Sequence, residues 1–368
     1  MEFYRDWVCP NIPVVIKNAV KHWPAVKKWS YKYLRENFGE KLVQVAATPN
    51  GYADAIADGF FVMPEELRMT FGDFINILEN PNSLPGTILY IQSQNGNMSE
   101  EWADLVEDCG KDLGWATEAF GEPPSAANFW MGDHRAVTSM HRDPFENIYC
   151  VVRGHKDFIL HPPIDLPWIP YETLPAARYE SIKNPGASPT YKIVPLGTDQ
   201  NNGNSKELTE GCKTEKDDSS EACMRKECGN SHNTTSAESG SISKIVDDLS
   251  ESKICEETVA ETLKSESMEA LFTDSSKSNV PWICIDPEKP DLNSYPLYAN
   301  ATQVKVRVHA GDVLFLPAHW FHHVKQSHGC IAVNYWYDMK YDHRYANQAF
   351  ITALLRKSGL NTGCPPLF

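Results

Sequence analysis

A histidine and an aspartate stand two residues apart, His141 and Asp143, in the stretch "TSMHRDPFENIYC". Side chains at i and i+2 of an extended strand share a face, so this imidazole and carboxylate could grip one ion together. A His-x-Asp pair alone is a weak signal, and most such pairs are polar turns. A second cluster lies far along the chain in "GDVLFLPAHWFHHVKQS", where His319, His322 and His323 leave an alternating apolar run beside Trp320 and Phe321. Three imidazoles in an aromatic setting are unusual for a plain core. Two histidines and one carboxylate on one face leave positions open on the metal. That donor set suits Fe(II) with a chelating co-substrate and O2.

Such residues need a rigid frame, and the sequence supplies one in pieces. Asn147 to Val152 and Asp157 to Leu160 read as short strands around a turn at Arg153-Gly154. In "TQVKVRVHAGDVLFLP", Val304, Val306 and Val308 face one way and Lys305 and Arg307 the other, with a turn at Ala310-Gly311-Asp312 and a return strand over 313–316. "CIAVNYWYD" is a further strand. Ahead of these, "AVKKWSYKYLRENFG" has a helical spread ending at Gly39, "MTFGDFINILENPNSLPG" predicts a helix stopped by Asn-Pro, and "EWADLVEDCGKDL" a third. Short antiparallel strands with helices in front imply a mainly β fold with flanking helices, a cupin-like double-stranded β-helix (jelly roll) able to hold one site in its mouth.

Composition bounds the rest. The 368 residues carry a net charge of −15, which argues against direct nucleic-acid contact, since phosphate binding needs a basic face. The hydrophobic fraction of 42% is ample for a core. No run of about 18 apolar residues exists to span a membrane, and the N-terminal "MEFYRDWVCPNIPVVIKNAV" lacks a signal-peptide apolar region. Ten scattered cysteines read as reduced thiols, which leads us to expect a cytoplasmic protein, with the nucleus as a second compartment. Between residues 201 and 270 there is no aromatic residue, and residues 196–280 hold 18 acids against 9 bases. This segment cannot bury enough apolar surface to offset its ordering entropy, so it reads as a disordered acidic Ser-rich insertion in a surface loop. Its stretch "ISKIVDDLSESKICEETVAETLKSESMEALF" has the spacing of a transient helix. The expected organisation is an N-terminal flank over 1–100, a core over 101–195 and 281–345 interrupted by 196–280, and a C-terminal helix and tail over 346–368.

Taken together, "FYRDWVCPN", "NFWMGD", "MHRD", "RGHKDFILHPP", "PWICIDPEKPDL", "GDVLFLPAHWFHHV" and "AVNYWYD" resemble the JmjC-domain Fe(II)/2-oxoglutarate oxygenases, in their small hydroxylase branch. The resemblance runs from "FYRDWVCPN" to "NYWYDMKYD", apart from the insertion. It implies His141, Asp143 and His322 as metal ligands, His322 standing five residues after the strand-ending Pro317. His319 and His323 become neighbours of the metal site. For 2-oxoglutarate it implies Lys156 as the charge that holds the far carboxylate, Thr138 and Tyr90 as hydroxyl donors, and Asn147 and Asn334 as amides lining the pocket. Apart from the resemblance, Lys156 reads as a solvated turn lysine, Thr138 as a turn cap and Tyr90 as a core tyrosine. On strand parity we expect His141, Asp143 and Asn147 to share one face, and Cys330, Ala332, Asn334 and Trp336 to share another. Trp130 walls the cleft or packs in the core.

The implied reaction turns 2-oxoglutarate and O2 into succinate and CO2 while hydroxylating an unactivated C–H. The branch implies a lysine-bearing protein substrate, with C3 hydroxylation of a lysine in a GTPase of the translation-factor class. Three alternatives stand: demethylation of N-methyl-lysine, endopeptidase action on modified histone tails, and a non-catalytic cupin binding module. The intact His141, Asp143, His322 and Lys156 argue against the last. The resemblance also implies a homodimer, built with a segment that precedes Met1 in the relatives.

Overall fold

A computed structural model describes residues 1–93, 96–182, 188–196, 279–360 and 363–365. The expected acidic insertion falls almost wholly outside the described residues. Eight strands carry the architecture: β1 (Ala126–Gly132), β2 (Val137–His141), β3 (Phe145–Arg153), β4 (His155–His161), β5 (Val304–His309), β6 (Val313–Leu316), β7 (Phe321–Gln326) and β8 (Cys330–Asp338). They pair in the orders β1-β8-β3-β6 in one sheet and β2-β7-β4-β5 in the other, the winding of a jelly roll. The first sheet continues outward from β1 through Ile88–Ile91, Leu42–Thr48 and Glu65–Thr70, so the N-terminal flank is part of the core sheet.

The alternation along the strands explains their apolar density. On β3, Ile148 and Cys150 point into a core that also holds Trp23, Leu34, Phe71, Phe74 and Trp102 from the N-terminal elements. Tyr149 and Val151 point the other way, into the barrel with Trp130, Phe158, Leu160, Leu314 and Val324. With both faces covered, the strand reads as an almost continuous apolar run. Gly154 closes the β3–β4 turn at φ 77°, and a Cβ there would run into Ser327 Oγ.

Two of the expected helices differ in detail. "AVKKWSYKYLRENF" is two helices, Pro24–Lys28 and Tyr31–Phe38, because Ser30 Oγ accepts the backbone N–H of Tyr33 and starts the second one afresh. "EWADLVEDC" reduces to a 3-10 turn over Ala103–Leu105 and the single α-helical turn Val106–Cys109. The helix Phe71–Glu79 begins on Thr70, whose Oγ1 accepts from Asp73 N–H, and ends at Asn80-Pro81 as expected. A last helix spans His343–Lys357, capped by Asp342.

The register around residues 197–278 shows how the fold accommodates them. Residues 190–195 pair with 182–177 of the strand Tyr171–Ile182, and residues 279–283 pair with 175–171 of the same strand. Pro195 stands opposite Ala177 and Asn279 opposite Pro175, so pairing resumes almost where it stopped. Loop-closure entropy grows only with the logarithm of length, so such a site tolerates a long excursion.

Candidate metal centre

His141 ends β2 and His322 is the second residue of β7, and the two are direct cross-strand partners. Their ring centroids are 4.2 Å apart. Asp143 Oδ2 lies 3.7 Å from His141 Nε2 and 3.5 Å from His322 Nε2. One donor atom from each residue falls within 4.8 Å of the others, which is the span of a single ion's coordination sphere. Each imidazole is already oriented. His141 Nδ1 is 2.8 Å from the Ser139 carbonyl and His322 Nδ1 is 3.0 Å from the Trp320 carbonyl. Each Nδ1–H therefore donates to backbone, which turns both Nε2 atoms towards Asp143, the positions from which they would bind a metal. Burial works against the Asp143 charge, yet His141 and His322 hold its carboxyl far below the usual carboxylate range. Burial and the neighbouring His141 both push the His322 imidazole down, towards the neutral form a metal requires.

The parity expected for Asp143 does not hold. β2 stops at His141 and β3 starts at Phe145, so Asp143 sits on a link rather than in a regular strand. Pro144 cannot donate a ladder hydrogen bond, which breaks the sheet there. The aspartate is fixed instead by its own carbonyl, which accepts from His319 N–H at 2.8 Å. His319 adopts φ 65° to make that contact, and burial pushes its imidazole down to about 3. His319 thus acts on the site through its backbone, and its buried Nε2 has no hydrogen-bond partner. His323 alternates to the outer face of β7, where Glu288 Oε2 is 4.0 Å from its Nε2.

Along β4 and β7 parity does hold. His322 faces Leu160 and Lys156 faces Gln326, four residues along and roughly 13 Å at 3.3 Å per residue, on the same face. Lys156 is 1% exposed, so it is no solvated turn lysine. Its Nζ donates to Tyr90 Oη at 2.8 Å and lies 5.1 and 5.7 Å from the ring centroids of Tyr90 and Tyr149. Among the described residues no carboxylate pairs with it. The Tyr90 ring rests on Gly132 of β1, where any Cβ would strike it. Thr138 lies on β2 opposite Val324, in the same sheet as Lys156. Asn334 Nδ2 donates to Asn147 Oδ1 at 3.1 Å, while Asn334 Oδ1 accepts from Trp130 Nε1 at 2.7 Å. Trp130 therefore belongs to the amide network as well as to the barrel core.

Every residue singled out for the site in the sequence lies on these central strands or their links except Tyr90, which lies on Ile88–Ile91 beside β1. Three further residues were missed. Tyr149 shares the Asn147 face of β3 and could have been found by parity. Trp282 stacks parallel to His141, at 6.4 Å and 9°, and donates from Nε1 to Ser139 Oγ at 3.3 Å. Asp54 lies beside Ser139. Neither has a local signal, because both arrive from elements distant in sequence.

Comparison with known proteins agrees with this geometry. The family described as "Cupin-like domain" matches residues 1–343. The human bifunctional peptidase and (3S)-lysyl hydroxylase JMJD7 is 39% identical over 361 residues, covering 98% of this chain and 88% of that protein. JmjC domain-containing protein E of Dictyostelium discoideum is 31% identical over 95% of the chain and 85% of its own length. The lysine-specific demethylase JMJ32 of Arabidopsis thaliana is 31% identical over 97% and 84%. With its jelly roll, its His-Asp-His cluster and these relatives, the chain belongs to the cupin-like JmjC family of 2-oxoglutarate-dependent dioxygenases.

Proposed function

We propose that this protein is an Fe(II)- and 2-oxoglutarate-dependent protein hydroxylase that modifies C3 of a lysine side chain, in a GTPase of the translation-factor class. The observation that carries the cofactor pair is the combination of two oriented imidazoles whose Nε2 atoms converge on Asp143 with a buried Lys156, unpaired by any carboxylate among the described residues, at the other end of the same barrel face. The lysyl reaction is supported by the name of the human relative, and the GTPase class by the sequence resemblance alone.

In this reading His141, Asp143 and His322 would hold Fe(II), and the metal would supply the oxidising chemistry that couples decarboxylation of 2-oxoglutarate to hydroxylation. The Ser139 and Trp320 carbonyls keep both imidazoles in the ligating tautomer. Lys156 and Tyr90 would receive the far carboxylate, a charge-assisted contact made strong by the dry surroundings. Thr138 would add a hydroxyl, and Asn147 and Asn334 would present amides along the co-substrate.

The Arabidopsis relative, named a demethylase, motivates a second reading in which the same centre oxidises an N-methyl carbon. One experiment separates the readings. Purified protein is given Fe(II), ascorbate and 2-oxoglutarate with lysine peptides, trimethyl-lysine peptides and histone tails, as wild type and as His141→Ala. The proposal expects succinate and a +16 product on lysine, both lost in the variant. Formaldehyde from the trimethyl peptide or cut tails with no +16 lysine would replace it with demethylation or proteolysis. No metal binding at all would overturn the site.

A further inference from the structure

Hydroxylation at C3 of a lysine takes place four bonds short of the ammonium, so the reacting carbon itself offers little to recognise. Selectivity must come from whatever holds the charge. Among the described residues, Asp54 beside the Ser139–His141 segment is suited to that task. Asp54 joins the short strands Tyr52–Ala53 and Ala55–Ala57 and takes a left-handed backbone, φ 53°. The preceding residue, Ala53, pairs in parallel with Thr138 on β2. Ser139 Oγ donates to the Asp54 carbonyl at 2.6 Å, and the Ser139 carbonyl in turn receives the Nδ1–H of the metal-site His141 at 2.8 Å. The backbone of Asp54 is thus fixed one residue away from a ligand's own support.

Its side chain is left in a different condition. Its hydrogen-bond partner is Gln92 Nε2, at a long 3.4 Å. Among the described residues no lysine or arginine pairs with it. A half-buried carboxylate without a cation is costly. Trp282, stacked parallel to His141, donates to the same Ser139 Oγ that bonds Asp54 and offers an aromatic surface beside that residue. A chain of methylenes ending in a primary ammonium fits this arrangement, with an apolar wall for the stem and a cationless carboxylate for the head.

We propose that Asp54 is the specificity-determining residue of the site, binding the ε-ammonium of the substrate lysine while Trp282 packs against its methylenes. The assignment rests on the lysyl hydroxylase reading, and its test keeps the two apart. Asn tolerates the left-handed conformation at residue 54 and retains the backbone carbonyl that Ser139 requires, so Asp54→Asn removes the charge and spares the fold. Uncoupled succinate production by the variant, with 2-oxoglutarate and no peptide, confirms that the metal and co-substrate sites survive.

Two randomised peptide pools are then compared on Mn(II)-loaded protein with 2-oxoglutarate, one with lysine and one with norleucine at the central position. Wild type should prefer lysine by about tenfold or more, the worth of one desolvated charged hydrogen bond, and Asp54→Asn should reduce that preference to within about twofold. Product mass on the lysine pool with Fe(II) is the second readout. Lysine preference lost in the variant together with a +16 lysine in wild type supports both proposals. Preference lost in the variant with oxidation at a different residue keeps the ammonium site and overturns the lysyl reading. A preference unchanged by Asp54→Asn, or absent in wild type, overturns the role of Asp54.

Discussion

Arg344 and Lys156 are both cationic side chains turned into the body of the protein, and their surroundings are opposite. Arg344, at the start of the C-terminal helix, bonds Glu146 Oε1 at 2.7 Å, Asp342 Oδ2 at 2.9 Å and the Val8 carbonyl at 3.0 Å. Glu146 is 1% exposed and also accepts from Ala318 N–H at 3.2 Å. That network ties the N-terminal segment, β3, the loop before β7 and the last helix into one seam, with every charge answered. Lys156 is as deeply placed, with its Nζ against Tyr90 and Tyr149 and, among the described residues, no carboxylate paired with it. A buried ammonium with no anion costs several kcal/mol, and a fold keeps one where a ligand's anion completes it. Paired burial marks structure in this protein, and unpaired burial marks a site.

The largest expected effect lies on the structural side. Arg344→Met strands Glu146 in the interior and should cost about 3–5 kcal/mol in urea unfolding. At a temperature where the variant stays folded, its affinity for 2-oxoglutarate should match wild type. A lost affinity with intact stability would reverse the comparison. Gly132→Ala tests the ligand side indirectly. The new Cβ must displace the Tyr90 ring, so an overpacking loss of about 1–3 kcal/mol should accompany weaker 2-oxoglutarate binding. Unchanged binding would mean that Tyr90 does not support Lys156.

His161 sharpens the comparison through pH. It is 1% exposed, its Nε2 lies 3.0 Å from Tyr298 Oη, and burial lowers its imidazole from 6.5 to about 4. Between those values the unfolded chain takes up a proton that the folded chain refuses, so stability falls as pH drops from 6.5 towards 4. Above 6.5 the group is neutral in both states and contributes no slope. His161→Gln should flatten the urea midpoint across that window, and an unaltered slope would assign it to other groups. The smallest effect belongs to residues 197–278. Replacing them with a short Gly-Ser linker should move stability by no more than about 1 kcal/mol, because Pro195 and Asn279 already sit opposite Ala177 and Pro175. A collapse of the sheet on deletion would contradict that register.

Much of this was legible in the sequence, for a physical reason. Strand alternation is local, so "VKVRVH", "VLFL" and "CIAVNYWYD" declared their faces, and the aromatic setting of His322 pointed to a site. The failures are non-local. Asp143 was expected on a regular strand, but Pro144 breaks the ladder and His319 N–H, from the far half of the chain, fixes the Asp143 backbone carbonyl instead. The single helix expected before Gly39 is two, because Ser30 competes for the backbone. Asp54 and Trp282 meet at Ser139 from positions more than two hundred residues apart in sequence, and neither carries a neighbour that announces it.

The measurement that tests the central claim most directly is the affinity of Mn(II)-loaded protein for 2-oxoglutarate, wild type against Lys156→Met. Removing this buried ammonium, which no carboxylate among the described residues pairs, should weaken binding by roughly 10²-fold, the worth of a charge-assisted contact in a dry site, and leave thermal stability equal or higher. Binding within about twofold of wild type, or a large loss of stability in its place, would show that Lys156 serves the fold and would contradict the account.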